Sequence, residues 1–233
     1  MTTPRTKSYF IPTKTVTNEV WQKPKLDISA PHFNGQRFFN PWEREDRNQA
    51  ALFKWILTRQ SQTWPRWCQN ETFSLPTARY SDSLNDWKVW FVGHATLLLQ
   101  IGQYNFLTDP VWAERCSPFA YAGPKRVRAA GIALEDLPPI DAVLLSHNHY
   151  DHLDTASLLW LHQHHQTPVI TGLGNGVYLR QYGIKVIELD WWQSHAFAEG
   201  VDIHYLPAKH FSGRGVRDRN AALWGSLSVV TPY

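Results

Sequence analysis

Ser146-His147-Asn148-His149-Tyr150-Asp151-His152 places three histidines and one aspartate within six positions, as His-x-His-x-Asp-His. Neutral imidazole and carboxylate are ligands for zinc and related transition metals, and a catalytic zinc keeps three protein ligands plus an open position for water. His147 and His149 stand two apart, so on an extended loop they point the same way. Asp151 and His152 come round after a turn. Such a cluster can serve two metals, with His147 and His149 on one and Asp151 and His152 on the other. A two-metal site polarises a phosphoryl or carbonyl oxygen and holds a hydroxide nucleophile between the ions. The plainer alternative is a polar loop that happens to be rich in histidine. What precedes the loop argues for metal.

That preceding stretch is the apolar run Asp141-Ala142-Val143-Leu144-Leu145, bounded upstream by Leu137-Pro138-Pro139, and it reads as a buried strand. The ligands then sit at the carboxyl end of a strand, where open α/β sheets place their sites. His210 is the best further ligand, because Leu206-Pro207-Ala208-Lys209-His210 also puts a histidine just past a strand. With it one metal has three imidazoles and a free position. Asp109 ends another strand before Pro110 and could orient a ligating imidazole, or be a turn carboxylate. His94, in a Gly-His break between strands, faces the same rim or makes a structural hydrogen bond. His162, His164 and His165 fall in a polar run at the end of a helix and read as a solvated face of last-turn cations. Lys125, Arg126 and Arg128 form a small basic loop, either solvated surface or an anion clamp for a phosphodiester. The pair Trp191-Trp192 reads as core or a hydrophobic rim, with core favoured.

The elements that position these residues follow from periodicity. Residues 1–45 are polar and read as an extended arm lying on the domain, and 46–86 as a helix (Ala50 to Arg59, with Leu52, Trp55 and Ile56 on one face) plus a linker. From 87 to the end runs the main domain. Trp87–Val92, Ala95–Ile101 and Tyr104–Thr108 form a hairpin series. After the metal strand come a helix from Thr155 to about Gln166, a strand Val169–Thr171, a helix near Asn175–Tyr182, and strands Lys185–Leu189, Asp202–Leu206 and Leu223–Val230. Strands mixed with helices in this order predict an α/β protein with mixed sheets.

Composition excludes several classes. The chain has 233 residues, 43% hydrophobic and 18% charged, ordinary globular material. A net charge of +3 is too small to argue for nucleic acid. Two distant cysteines, Cys68 and Cys116, read as free thiols of a reducing compartment, so we expect a cytoplasmic protein. No window is apolar over a spanning length. Peripheral membrane contact stays compatible.

Together these residues resemble the metallo-β-lactamase superfamily, and more narrowly the N-acyl-phosphatidylethanolamine-hydrolysing phospholipase D family. The resemblance rests on Gly93-His94-Ala95-Thr96, Leu107-Thr108-Asp109-Pro110, Ala122-Gly123-Pro124-Lys125-Arg126 and Leu137-Pro138-Pro139-Ile140-Asp141 running into the histidine motif. Glu188-Leu189-Asp190-Trp191-Trp192, His210 and Leu223-Trp224-Gly225-Ser226 continue it. It implies an αβ/βα sandwich carrying two zinc ions. His147, His149 and His210 would hold one, and Asp151 and His152 the other. A bridging hydroxide positioned by Asp151 would cleave a phospholipid or other phosphodiester. The family pattern continues past the last strand into a Gly-Asp-Thr-Gly-like segment and a further histidine, whereas this sequence stops at Thr231-Pro232-Tyr233. We therefore expect a C-terminally incomplete sandwich with one well-provided zinc site. The alternatives are an inactive metal-binding fragment, or a hydrolase of lactones or other esters.

Overall fold

The computed structural model describes residues 30–42, 49–60, 63–71 and 74–232. Most of the arm expected over 1–45 lies outside the described residues, as do the side chains of Leu52 and Ile56. Helix α1 (Gln49–Thr58) leaves Trp55 exposed, with the Arg59 guanidinium over its ring at 5.1 Å.

Two sheets make the domain. Strands β1 (Trp87–Gly93), β2 (Thr96–Ile101), β3 (Tyr104–Thr108), β4 (Ala142–Leu145), β5 (Val169–Gly172) and β6 (Val186–Leu189) lie side by side in chain order. The first three pair antiparallel and β3 to β6 pair parallel. Strands β7 (Ser194–Ala198), β8 (Val201–Leu206) and β9 (Ser226–Val230) form a separate antiparallel sheet. The fold is mixed α/β, as expected.

Strand β4 explains why its apolar run is unbroken. All four residues are buried, because both faces of the sheet are covered. Val143 and Leu145 face a core shared with Leu158 and Leu161 of helix α2 (Thr155–His165) and Leu179 of the short helix α3 (Val177–Arg180). Ala142 and Leu144 face the other way, into a core shared with Val201, Ile203 and Tyr205 of β8. Helix α2 starts where Asp154 accepts from the Ala156 amide, and it ends at Gln166 in the left-handed region. The same Asp154 carboxylate accepts from the amides of Trp112 and Ala113, tying the loop after β3 to the helix.

Two expectations change. The apolar stretch from Leu223 becomes a strand only at Ser226, because Leu223 and Trp224 are fully buried plugs in the inter-sheet core. There the Leu223 amide donates to Leu173 and the Gly225 amide to Ser146, leaving neither for a ladder. Strand β7, not expected from the sequence, forms by pairing antiparallel with β8. Strand β9 ends the second sheet, and a cavity of about 410 Å³ lies between its Leu227 and Val229 and the Trp87–Leu99 part of the first sheet, reaching Asp109 and Ser146. Trp87, Val89 and Phe91 are exposed along β1.

The arm's described part packs on the domain. Phe38 is buried, its amide donates to the Asn220 carbonyl, and His32 pairs with Asp190 at 2.7 Å while stacking on Trp191. Trp191 is core, but Trp192 is 72% exposed, contrary to the expectation for the pair. Cys68 and Cys116 are free and half-buried. Among the described residues no helix is long and apolar enough to cross a membrane.

Candidate metal centre

Four chain segments meet at one edge of the sheets: the β1–β2 turn with His94, the end of β3 with Asp109, the loop after β4, and the loop after β8 with His210. Parallel pairing sets the middle two. Thr108 lies opposite Leu144, so Asp109 follows directly beside the exit of β4, and its amide donates to the Leu144 carbonyl at 3.2 Å. The loop base is held from the second sheet as well. The Tyr205 hydroxyl donates to the Ser146 carbonyl at 2.8 Å, crossing space that only glycine leaves open. A Cβ on Gly172 would lie 2.3 Å from that hydroxyl, and one on Gly225 would lie 2.6 Å from the ring.

Three imidazole nitrogens converge. His147 Nε2 lies 2.9 Å from His149 Nδ1, and His210 Nε2 lies 3.1 and 3.3 Å from those two atoms. A tetrahedral zinc with ordinary zinc–nitrogen bonds spaces its ligand nitrogens about 3.3 Å apart. The triangle therefore fits one face of such an ion. His147 is pushed down to about 2, first by burial and then by His152, and His149 to about 4, first by burial and then by His210. His210 is lowered too, by burial and then by His152. All three are neutral at neutral pH and have lone pairs to offer.

A second group adjoins it. His94 Nε2 lies 3.1 Å from Asp151 Oδ2, which lies 3.6 Å from His152 Nε2, and these three residues also bring ligand atoms within 4.8 Å of one another. The ring of His152 is 4.1 Å from that of His147, so the two groups are neighbours. Burial works to raise the Asp151 carboxyl, but His152 and His94 outweigh it and hold it below the usual carboxylate range. His94, expected to face the same rim or to make a structural hydrogen bond, here stands where a ligand would. Its φ of 52° turns it there from the β1–β2 turn.

Asp109 connects the groups. Its Oδ1 accepts from the Ser146 amide at 2.7 Å, and its Oδ2 accepts from Ser146 Oγ and from His152 Nδ1, both at 2.8 Å. Because Ser146 Oγ donates to the carboxylate, it can accept from His147 Nδ1, 2.8 Å away. One carboxylate thus fixes the tautomer of an imidazole in each group, directing Nε2 of both inward. Ser146 escaped sequence reasoning, because a serine between a strand and a histidine carries no signal of its own.

The His210 loop is braced onto the histidine loop. Arg214 Nη1 donates to the carbonyls of Asn148 and Leu153 at 2.9 and 2.8 Å, with its guanidinium 4.0 Å over the Tyr150 ring. Asn40 of the arm donates to the His210 carbonyl at 2.9 Å. Other expected residues are elsewhere or engaged. Lys125 pairs with Glu114 at 2.6 Å, and Arg126 donates to the carbonyls of Ala113 and Val111, so two of the three candidates for the anion clamp have protein partners. His164 stacks on Trp160 at the end of α2, away from the site.

A sequence family described as beta-lactamase superfamily domain matches residues 104–232. An uncharacterized protein of Mycobacterium tuberculosis is 39% identical over 191 residues, 80% of this chain and 50% of the relative. N-acyl-phosphatidylethanolamine-hydrolyzing phospholipase D 1 of Caenorhabditis elegans is 38% identical over 150 residues, 60% of this chain and 42% of the relative. This chain thus spans about half the length of the relatives it matches. Among solved structures, a metallo hydrolase from the archaeon Ignicoccus hospitalis overlaps 62% of this chain and 56% of its own at a TM-score of 0.47 and 20% identity.

Proposed function

The chain belongs to the beta-lactamase superfamily, and on that premise we propose that it is a zinc-dependent hydrolase of phosphodiesters, its natural substrate a phospholipid of the N-acyl-phosphatidylethanolamine kind. The observation that carries the reading is the pair of adjacent ligand groups, His147/His149/His210 and His94/Asp151/His152, oriented by one carboxylate. When bound, two zinc ions would supply Lewis-acid polarisation of the phosphoryl oxygen and an acidified water.

The chain's own residues do the rest. Asp109 and Ser146 hold the His147 and His152 rings so that their inner nitrogens need no reorientation on binding. Asp151, ionised and with a partly exposed side chain, accepts a hydrogen bond from the attacking water and sets its line of approach. The substrate class is drawn from the C. elegans relative, whose name gives it that substrate. We place the protein in the cytoplasm, meeting lipid at a membrane surface.

The test is hydrolysis of bis(p-nitrophenyl) phosphate and of N-acyl-phosphatidylethanolamine vesicles by zinc-loaded protein, with the Asp151→Asn variant as control. We expect turnover of both that is lost at least a hundredfold in the variant. Turnover of p-nitrophenyl acetate or a lactone, with neither phosphodiester cleaved, would transfer the activity to esters.

A further inference from the structure

A phosphodiester carries one negative charge shared over two non-bridging oxygens, and a cation beside the metal centre would add a second contact to that charge. The cations around the centre can be sorted by what already holds them. Arg126 and Arg214 spend their donors on backbone carbonyls, Lys125 on Glu114, and Arg37 on the carbonyls of Arg217 and Arg219. Arg219 is different. Its guanidinium lies 4.2 Å over the Phe211 ring, and no hydrogen-bond acceptor among the described residues holds it. The Phe211 ring in turn lies 4.6 Å from the His149 ring and 5.1 Å from that of His210. Among the described residues, then, an unspent positive charge stands one ring beyond the first ligand group.

The backbone beneath it is fixed. Arg37 donates to the Arg219 carbonyl, the Asn220 amide donates to Ser212, and the Phe38 amide donates to Asn220. Asn220 takes a φ of 58°, which turns the chain back. A guanidinium stacked on an aromatic ring keeps its in-plane N–H fork free, the geometry that fits two oxygens of one phosphate. The stack also restricts the long side chain, so less rotamer freedom is lost when an anion binds.

We infer that Arg219, seated on Phe211, is the anion-binding subsite that takes the non-bridging phosphate oxygens of the substrate. The inference rests on the hydrolase reading for the identity of that substrate, but not for its test. The subsite selects charged diesters over neutral esters of the same size.

Binding is measured by calorimetry with dibutyl phosphate and, as the neutral comparison, triethyl phosphate. The proteins are wild type, Arg219→Ala, Arg219→Lys and Lys125→Ala. Wild type should bind the diester in preference, and Arg219→Ala should weaken that binding at least tenfold without touching the triester. Arg219→Lys should retain part of the binding, since it keeps the charge and loses the fork. Lys125→Ala should match wild type, and rising salt should narrow the gap between wild type and Arg219→Ala. Should the alanine variant lose its fold, Arg219→Gln carries the comparison at nearly equal length. No diester binding by wild type, equal binding by the Arg219 variants, or the same loss in Lys125→Ala would each overturn the inference. Arg219-dependent diester binding without turnover would leave the subsite standing and remove the hydrolase reading instead.

Discussion

The Asp109 Oδ2 atom lies 2.8 Å from His152 Nδ1, with Ser146 Oγ at the same distance on its other side. This buried carboxylate receives both donors on one oxygen. Asp109→Asn cannot reproduce that, because either amide orientation turns a donor toward a donor or gives up the ionic acceptor. The expected outcome is a 10- to 100-fold weaker second metal, on the order of what such outer partners contribute, with the first metal less affected. Competition with a fluorescent chelator checks it. Two equally weakened sites would mean that the carboxylate acts on the fold as a whole.

The ligand assignment predicts unequal histidines. His147→Ala or His149→Ala should abolish the tight metal, while His164→Ala, at the end of α2 and stacked on Trp160, should leave it unchanged. Elemental analysis of the purified variants decides the matter. Equal losses from all three would refute the assignment.

Acid should destabilise the metal-free protein through His147. Its folded value of about 2 lies below the usual 6.5 of the unfolded chain, so between those values the unfolded state binds the extra proton. Stability attributable to this group is then complete above about pH 6.5 and falls as pH drops toward 2, by up to about 1.4 kcal/mol per pH unit. His152 runs the other way. Burial lowers it but the Asp109 carboxylate outweighs burial and leaves it raised, so its contribution is present at low pH and fades as pH rises through its folded value. Urea midpoints of metal-free wild type and His147→Asn from pH 7 to 5 separate the two. The variant should show the shallower decline, and parallel declines would contradict the account.

Arg214 predicts a stability effect that is also a metal effect. Truncating it to alanine leaves the Asn148 and Leu153 carbonyls without their donor, at roughly 1–3 kcal/mol for each group left unsatisfied. The chemical denaturation midpoint should fall, and metal affinity with it, because the same side chain holds the His210 loop against the histidine loop. A drop in midpoint with unchanged metal affinity would limit Arg214 to the fold.

Much of this was legible in the residues. An unbroken apolar run ending in His-x-His-x-Asp-His announces both a buried strand and what hangs from it, and β1 to β3 show in short runs separated by glycine turns. His210 could be proposed by its position after β8, although its approach to His147, 63 residues earlier, is a tertiary fact. What stayed hidden depended on partners that spacing does not reveal. Lys125 and Arg126 look available in the sequence until Glu114 and two carbonyls claim them, while Arg219 looks ordinary until Phe211 proves to lie beneath its guanidinium. Strand β7 is made by its pairing with β8, and the Leu223–Trp224 plug by its burial. A local pattern reports neither.

The most direct test of the central claim is zinc per chain in purified, monodisperse protein, measured by elemental analysis against protein concentration in wild type and in His94→Ala. Two zinc ions in wild type, falling to one in the variant, is the predicted result, since the second group needs His94 beside Asp151 and His152. Zinc content near zero in wild type, or two zinc ions retained without His94, would contradict a two-metal centre built from these residues.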